Sequence, residues 1–232
     1  MTLHHNLPQH VAIIMDGNRR WARKHRQPAF EGHRAGYRTL KRIGDVALER
    51  GIKYLTVWAF STENWHRAKR EVQFLLNFVE WVLREELVEF HRKGVHLVVT
   101  GRLHELSAKL QKLISDAMNL TRDNTRGVLN VLLNYGGRAE IVDAVRAIVR
   151  AQPDPDSVNA ELIASHLYHP EIPNPDLIIR TSGELRLSGL MPWQAEYSEL
   201  IFVEKLWPDF TARDFDACLA EFARRDRRFG TK

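Results

Sequence analysis

Residues 11–15, Val-Ala-Ile-Ile-Met, are apolar at every position, so an extended segment there needs cover on both faces. A central strand of a parallel sheet meets that need, and the rest of the chain repeats the pattern. Strand-like runs recur near 54–59, 95–100, 128–133, 176–179 and 200–203, with helical periodicity in most of the intervals. Residues 33–50 set Tyr37, Leu40, Ile43 and Ala47 on one face and stop at Gly51. Residues 70–93 carry a wide apolar stripe from Val72 to Phe90 and close on His91, Arg92 and Lys93. Residues 105–121 and 138–151 are two further amphipathic helices, and Thr211 and Asp214 read as a capping box opening a last one. Strands alternating with helices imply right-handed crossovers. The expected fold is α/β, a single domain over residues 1–232 with a six-stranded, mostly parallel sheet flanked by helices.

Asp16 falls where the first strand ends, the edge at which open α/β sheets place ligands. Gly17 lets a backbone come close, and a helix beginning near Asn18 aims free N–H groups at an anion. Arg19 and Arg20 add fixed positive charge beside the carboxylate, a combination suited to a phosphorylated ligand bridged by a divalent metal. The same residues also describe a plain strand and a helix capped by Asp16 or Asn18, with solvated arginines. Arg180 follows a second buried strand, and Arg186 and Ser188 sit on the long loop after it. Guanidinium forks there can hold a diphosphate, or can pair with Glu184 and Glu196 at the surface. Glu199 opens the last strand as a candidate second carboxylate for a hard cation. Phe60-Ser-Thr-Glu-Asn-Trp-His-Arg67 offers hydroxyls, an amide and an aromatic wall after another strand. Within it Glu63 reads better as a partner of an arginine than as a catalytic group, and His33 reads equally as helix cap or ligand.

The chain carries 34 Lys+Arg against 29 Asp+Glu, a net charge of +5, which favours an anionic partner without naming it. Cys218 is the one cysteine, which excludes an internal disulfide and a cysteine metal cage. The longest apolar run near the amino terminus is five residues, so neither a signal peptide nor a membrane span is expected, and the compartment is the cytoplasm. No P-loop, no Gly-x-Gly-x-x-Gly after the first strand and no Asp-Asp-x-x-Asp occurs. The tryptophans Trp65, Trp81 and Trp193 lie beside apolar patterns rather than on a polar stacking face, so no nucleic-acid partner is expected despite the basic carboxyl end.

Taken together, His10–Ala22, Phe60–Arg67 and Arg180–Glu199 resemble the cis-prenyltransferases, the undecaprenyl diphosphate synthase family. The likeness extends to Asn134-Tyr-Gly-Gly-Arg138, Leu206-Trp-Pro-Asp209 and the closing Arg-Arg-Phe-Gly230. It implies a homodimer with a hydrophobic tunnel. It also implies Mg²⁺-dependent condensation of isopentenyl diphosphate with an allylic diphosphate, geranyl or farnesyl, each new double bond being cis. Asp16 is then the catalytic acid and metal ligand, with Glu199 completing the metal site. Gly17, Asn18, Arg19, Arg20, Trp21, His33 and Arg67 hold the allylic substrate. Ser61, Thr62, Glu63, Asn64 and Trp65 lie near the reacting carbons, Asn64 as an orienting catalytic residue. Arg180, Arg186, Leu187 and Ser188 hold isopentenyl diphosphate, closed by Arg228 and Gly230 from the partner subunit. The stripe from Val72 to Phe90 lines the tunnel, and product release involves transient contact with a membrane surface.

Four positions depart from the pattern of long-chain members. Arg19 replaces a glycine, Leu185 a histidine, and Ala29 an arginine for which Arg26 is the nearby substitute. Leu132 replaces a smaller residue expected to face the tunnel, so the expected product is shorter than undecaprenyl. Two other classes remain: a non-catalytic partner subunit of the same fold, against which the joint presence of Asp16, the arginines and Glu199 argues, and a basic nucleic-acid-binding protein.

Overall fold

The structure, a computed structural model, describes residues 7–226; Arg228 and Gly230 lie outside the described residues. All six apolar runs are strands: β1 (His10–Ile14), β2 (Tyr54–Ser61), β3 (Val95–Thr100), β4 (Gly127–Tyr135), β5 (Leu177–Arg180) and β6 (Glu199–Phe202). They form one sheet in the order β3-β4-β2-β1-β5-β6, and every pairing is parallel. The helices are α1 (Asn18–Lys24), α2 (Ala29–Glu49), α3 (Lys69–Glu85), α4 (Leu87–Arg92), α5 (Ala108–Thr121), α6 (Gly137–Ala151), α7 (Ala160–Ser165) and α8 (Ala212–Arg224). None of the described helices is long and apolar enough to cross a membrane.

Both faces of β1 are covered, as its sequence requires. Val11 and Ile13 pack with Leu55, Val57 and Ile179 against Ile43 of α2 and Phe215, Leu219 and Phe222 of α8. Ala12 and Ile14 face the other way, among Ile178, Tyr135, Leu190 and Met191. Each fully buried aliphatic side chain contributes roughly 1.5–3 kcal/mol, so these two layers fix the register of the central strand. The capping box at the start of α8 is present, Thr211 and Asp214 each bonding the other's backbone.

Three expectations change. The stripe over 70–93 is two helices rather than one, broken at Glu86, whose carboxylate is drawn to Lys41 Nζ of α2 at 2.6 Å. The apolar spacing persists across the break because both pieces face the sheet, which is why periodicity alone did not reveal it. The helix expected from 105 begins at Ala108, where the Ser107 hydroxyl accepts from Leu110 N–H at 3.3 Å. Leu132 packs with Ala12, Ile14 and Ile178, whereas its neighbours Val131 and Leu133 point to the opposite face. The two-residue period of β4 therefore turns Leu132 away from the side it was expected to narrow.

The chain leaves β1 towards β2 and returns to β1's other neighbour, β5, only much later. Crossovers thus diverge at β1 and β5, which opens a crevice beyond their carboxyl ends.

Candidate active site

Asp16 and Arg180 meet in that crevice because Ile14 and Arg180 are in register across β1 and β5. The Asp16 backbone is fixed first: its carbonyl accepts from the Thr181 hydroxyl at 2.7 Å and from Trp207 N–H at 2.9 Å. Its carboxylate then accepts from Arg180 Nη2 at 2.9 Å and lies 3.4 Å from Arg20 Nη2. Burial works to raise the Asp16 pKa, but hydrogen bonds from Arg180 and Ser182 and the charges of Arg180 and Arg20 hold it below the usual carboxylate range. Asp16 is therefore an anion under all ordinary conditions.

Gly17 turns the chain out of the strand at φ 110°, and a Cβ there would come within 2.9 Å of the Leu206 side chain. That turn starts α1, which packs tightly on α2. A Cβ on Gly32 would lie 2.0 Å from the Asn18 carbonyl oxygen, so a glycine is needed for the two helices to touch. Arg20 reaches across to Ser182, donating to its carbonyl at 3.1 Å and to its hydroxyl. Arg180, nearly buried, donates to the Ser188 hydroxyl at 2.8 Å and to the Arg186 carbonyl. These bonds mould the 181–191 loop, in which Ser182, Ser188 and Met191 take left-handed backbone angles. Such angles in non-glycine residues store strain of the kind found at ligand sites.

A polar hollow of ≈ 360 Å³ joins these groups to the end of β2. Asp16, Asn18, His33, Arg67, Arg180 and Ser188 all reach it, together with Ser61, Glu63 and Asn64. Gly17, Arg19 and Arg20 line its continuation over α1. A register shift in β2 around Ala59 brings Trp58, Ala59, Phe60 and Ser61 to the wall at once, where a regular strand would present only alternate residues. Below the hollow lies an apolar cavity of ≈ 140 Å³, lined by Leu75, Phe78, Val79 and Val82 of α3 and by Val131 and Leu133 of β4. Met15, Asn18 and His33 border both spaces.

Three buried polar atoms around the hollow have no hydrogen-bond partner: Asn18 Oδ1, His33 Nε2 and Arg180 Nε. Leaving such groups unpaired costs about 1–3 kcal/mol each. His33 is held near a pKa of about 4, chiefly by burial, so at neutral pH it is an uncharged imidazole rather than a cation. Beside it Glu71, absent from the sequence reading, sits 3.0 Å from Arg67 Nη1, 3.7 Å from Arg19 Nε and 3.8 Å from His33 Nε2. Its only sequence signal was the i,i+4 spacing from Arg67.

Other expected residues are placed elsewhere. Trp21 donates to Asp209 at 2.7 Å and stacks on His25. Trp65 donates to Asn134 Oδ1 at 2.7 Å, and Thr62 donates to Glu63 at 3.1 Å; neither lines the hollow. Arg186 is exposed and paired with Glu184, the surface alternative, while Leu187 packs under the loop and Leu185 is exposed. Asn64 reaches the hollow, but its amide caps the turn, accepting from Ser61 N–H at 3.3 Å and donating to the Ser61 hydroxyl at 2.8 Å. Glu199 is level with Leu177 at the opposite, amino end of the sheet, roughly 10 Å along the strand from Arg180. There it pairs with Arg225 at 2.7 Å, so within one chain it is not brought to Asp16. Ala29 lies at a surface hollow beside Phe30 and Arg70.

Among the described residues no group of three or more His, Cys, Asp or Glu converges on one point. Of the carboxylates near the crevice, Asp16 is the one set between Arg20 and Arg180, and with diphosphate oxygens and water it makes the kind of donor set Mg²⁺ accepts.

A family model described as a putative undecaprenyl diphosphate synthase matches residues 14–230. The chain is 47% identical over 227 residues to isoprenyl transferase 2 of Bradyrhizobium diazoefficiens, covering 96% of this chain and 90% of that protein. It is 46% identical to a (2Z,6E)-farnesyl diphosphate-specific trans,polycis-polyprenyl diphosphate synthase of Thermobifida fusca, over 97% of this chain and 81% of that one. Its fold matches the crystal structure of lavandulyl diphosphate synthase from Lavandula x intermedia, in complex with dimethylallyl diphosphate, with a TM-score of 0.92 and 36% identity. That match covers 97% of this chain and 99% of the other.

Proposed function

The chain belongs to the undecaprenyl diphosphate synthase family, and we propose that this prenyl transferase carries out Mg²⁺-dependent cis-prenyl elongation. Isopentenyl diphosphate is condensed with geranyl or farnesyl diphosphate to give a Z-polyprenyl diphosphate. The observation that carries the reading is the Asp16 carboxylate set between Arg20 and Arg180, at the mouth of an apolar cavity. A ligand with an anionic head and a hydrocarbon tail matches both halves.

A diphosphate leaves readily only if its developing charge is neutralised by groups already in place. Arg19, Arg20 and Arg67 supply that charge over α1, with Asn18 Oδ1 and the His33 imidazole at the junction with the cavity. Asp16 would hold Mg²⁺, which would supply Lewis-acid charge to the departing group. Arg180 and Ser188 hold isopentenyl diphosphate on the β5 side, so the two substrates lie on either side of Asp16. Fixing both in line is worth up to roughly 7–11 kcal/mol in favourable systems. As the allylic C–O bond breaks, the terminal alkene carbon forms the new C–C bond and the adjacent methylene loses a proton. Asn64 is a neutral amide committed to Ser61, so its part is to orient, and a diphosphate oxygen takes the proton.

The small cavity and the bulk of Leu133 on its wall favour a product shorter than undecaprenyl, with Arg19 in the polar hollow over α1. A second copy completes the enzyme: Val142, Val145 and Val149 form an exposed apolar stripe on α6, a face suited to a homodimer. Cys218 is free and buried, as a reducing cytoplasm permits. The test is incubation with labelled isopentenyl diphosphate, geranyl or farnesyl diphosphate and Mg²⁺, then chromatography of the dephosphorylated products. Labelled Z-prenols support the reading; no incorporation leaves the non-catalytic partner subunit in its place.

A further inference from the structure

Asn134, near the end of β4, has no part in the chemistry above, yet its side chain is fully committed. It is wholly buried and holds a left-handed backbone angle, φ 50°, which is sparsely populated outside glycine. Its amide nitrogen donates to the Arg102 carbonyl at 2.9 Å and to Glu105 Oε2 at 2.8 Å, and its carbonyl accepts from Arg102 N–H at 3.1 Å. The Arg102 guanidinium grips Asp143 of α6 through two bonds, at 2.8 and 3.0 Å, so this end of β4 is clamped on its far side. The remaining atom, Asn134 Oδ1, accepts from the Trp65 indole N–H at 2.7 Å. Trp65 belongs to the turn Thr62–His66, between Asn64 and Arg67, both of which line the polar hollow. Its own ring does not reach the hollow; it stands edge-on against Phe60, with centroids 5.3 Å apart. Ser61 and Tyr135 are in register across β2 and β4, so the turn lies directly over this end of β4. Within the turn, Asn64 bonds Ser61 and Thr62 bonds Glu63, contacts that shape it without placing it. A rigid amide with all its bonds made is the kind of support that holds a binding group in place.

We propose that Asn134 is a positioning residue for the allylic diphosphate: acting through Trp65, it sets the turn that presents Asn64 and Arg67 to the hollow. The proposal rests on the elongation reading above, but its binding test needs no turnover. Arg180 and Ser188 are held by β5 and the loop after it, so the isopentenyl diphosphate side does not depend on the turn. Trp65→Phe keeps a ring against Phe60 and removes the N–H donor. Asn134→Gly keeps the left-handed angle and removes the amide. Each should weaken binding of geranyl diphosphate about tenfold, read by calorimetry with no second substrate present. Each should also lower kcat by about 10–100-fold, while KM for isopentenyl diphosphate stays within about twofold. Asn134→Asp keeps an oxygen for Trp65 but sets a second carboxylate against Glu105, and weakens binding too; adding Glu105→Gln supplies a donor for it and restores the affinity. Geranyl diphosphate binding that is unchanged in both single variants overturns the proposal. An equal loss for both substrates does the same, because it makes Asn134 a member of the scaffold. A silent Trp65→Phe beside an impaired Asn134→Gly also overturns it, since Asn134 would then not act through Trp65. Should Asn134→Gly fail to fold, Trp65→Phe carries the test with β4 intact. The labelled-substrate assay separates the two readings. A wild-type protein that binds geranyl diphosphate but makes no prenol sinks elongation, and the calorimetric contrast still decides on Asn134. Elongation by the wild type with unaltered variants keeps elongation and sinks the positioning role.

Discussion

Two clusters of buried polar groups lie on the same sheet, and they differ in how completely they are paired. Across the interior of the strands, His10 Nε2 meets the Thr56 hydroxyl at 2.7 Å, Asn130 donates to Thr56 at 3.2 Å, and Thr100 donates to Asn130 at 2.6 Å. His10 Nδ1 is also engaged, 2.6 Å from the Pro173 carbonyl. At the carboxyl edge, Asn18 Oδ1, His33 Nε2 and Arg180 Nε have nothing to bond. A polar ladder whose side chains close on one another holds strands together; a cluster left open and strained is arranged for something absent from the chain. Both clusters contain a histidine, so residue type does not distinguish them.

The largest expected effect falls on the open cluster. Arg180→Lys keeps the charge but loses the fork shared by Asp16 and Ser188, so kcat/KM falls by about 10²–10³-fold with little change in Tm. An equal fall in Tm would instead make Arg180 a structural member like the ladder. Next is pH. His10 and His33 are both held near pKa about 4, mainly by burial, against 6.5 for an unperturbed imidazole. A lowered histidine pKa means the unfolded chain binds more protons. Each group's contribution is therefore whole above pH 6.5 and lost as pH falls towards 4, at most about 3 kcal/mol apiece. Urea unfolding between pH 7 and 4.5 measures the sum, and NMR titration separates the two. Pyrophosphate should raise the pKa of His33 and leave His10 unmoved; equal responses would erase the distinction.

A smaller effect is expected from Asn130→Leu, which strips the ladder of its central link. It should cost about 2 kcal/mol in urea unfolding and leave KM for both substrates in place. A changed KM would couple the ladder to the site. Smallest is Glu71→Gln. Removing this anion from among Arg19, Arg67 and His33 should tighten binding of inorganic pyrophosphate by roughly three- to tenfold, about 1 kcal/mol. Weaker binding would mean that Glu71 positions the arginines rather than competing with the ligand.

Strand order of appearance, the parallel sheet and the Asp16–Arg180 edge were legible in the sequence, because each rests on composition and on where an apolar run stops. What was not legible needed a direction in space. Leu132 was assigned to the wrong face because neither register nor face can be read from one strand alone. Glu199 is expected at the metal, and the register sets it beside Leu177 at the start of β6, away from Asp16 of its own chain. Trp21 and Trp65 carry plausible chemistry, yet their indoles are spent on Asp209 and Asn134. Glu71 and the break at Glu86 are not legible because Arg19, His33 and Lys41, their partners on α1 and α2, are distant in sequence.

The central proposal is that Asp16 holds Mg²⁺ in addition to pairing with Arg20 and Arg180. Pyrophosphate affinity should be measured by calorimetry for the wild-type protein and Asp16→Ala, each with and without Mg²⁺. The account expects Mg²⁺ to strengthen binding at least tenfold in the wild type, about 1.4 kcal/mol, and to do nothing in Asp16→Ala. An equal Mg²⁺ response in both proteins would contradict it.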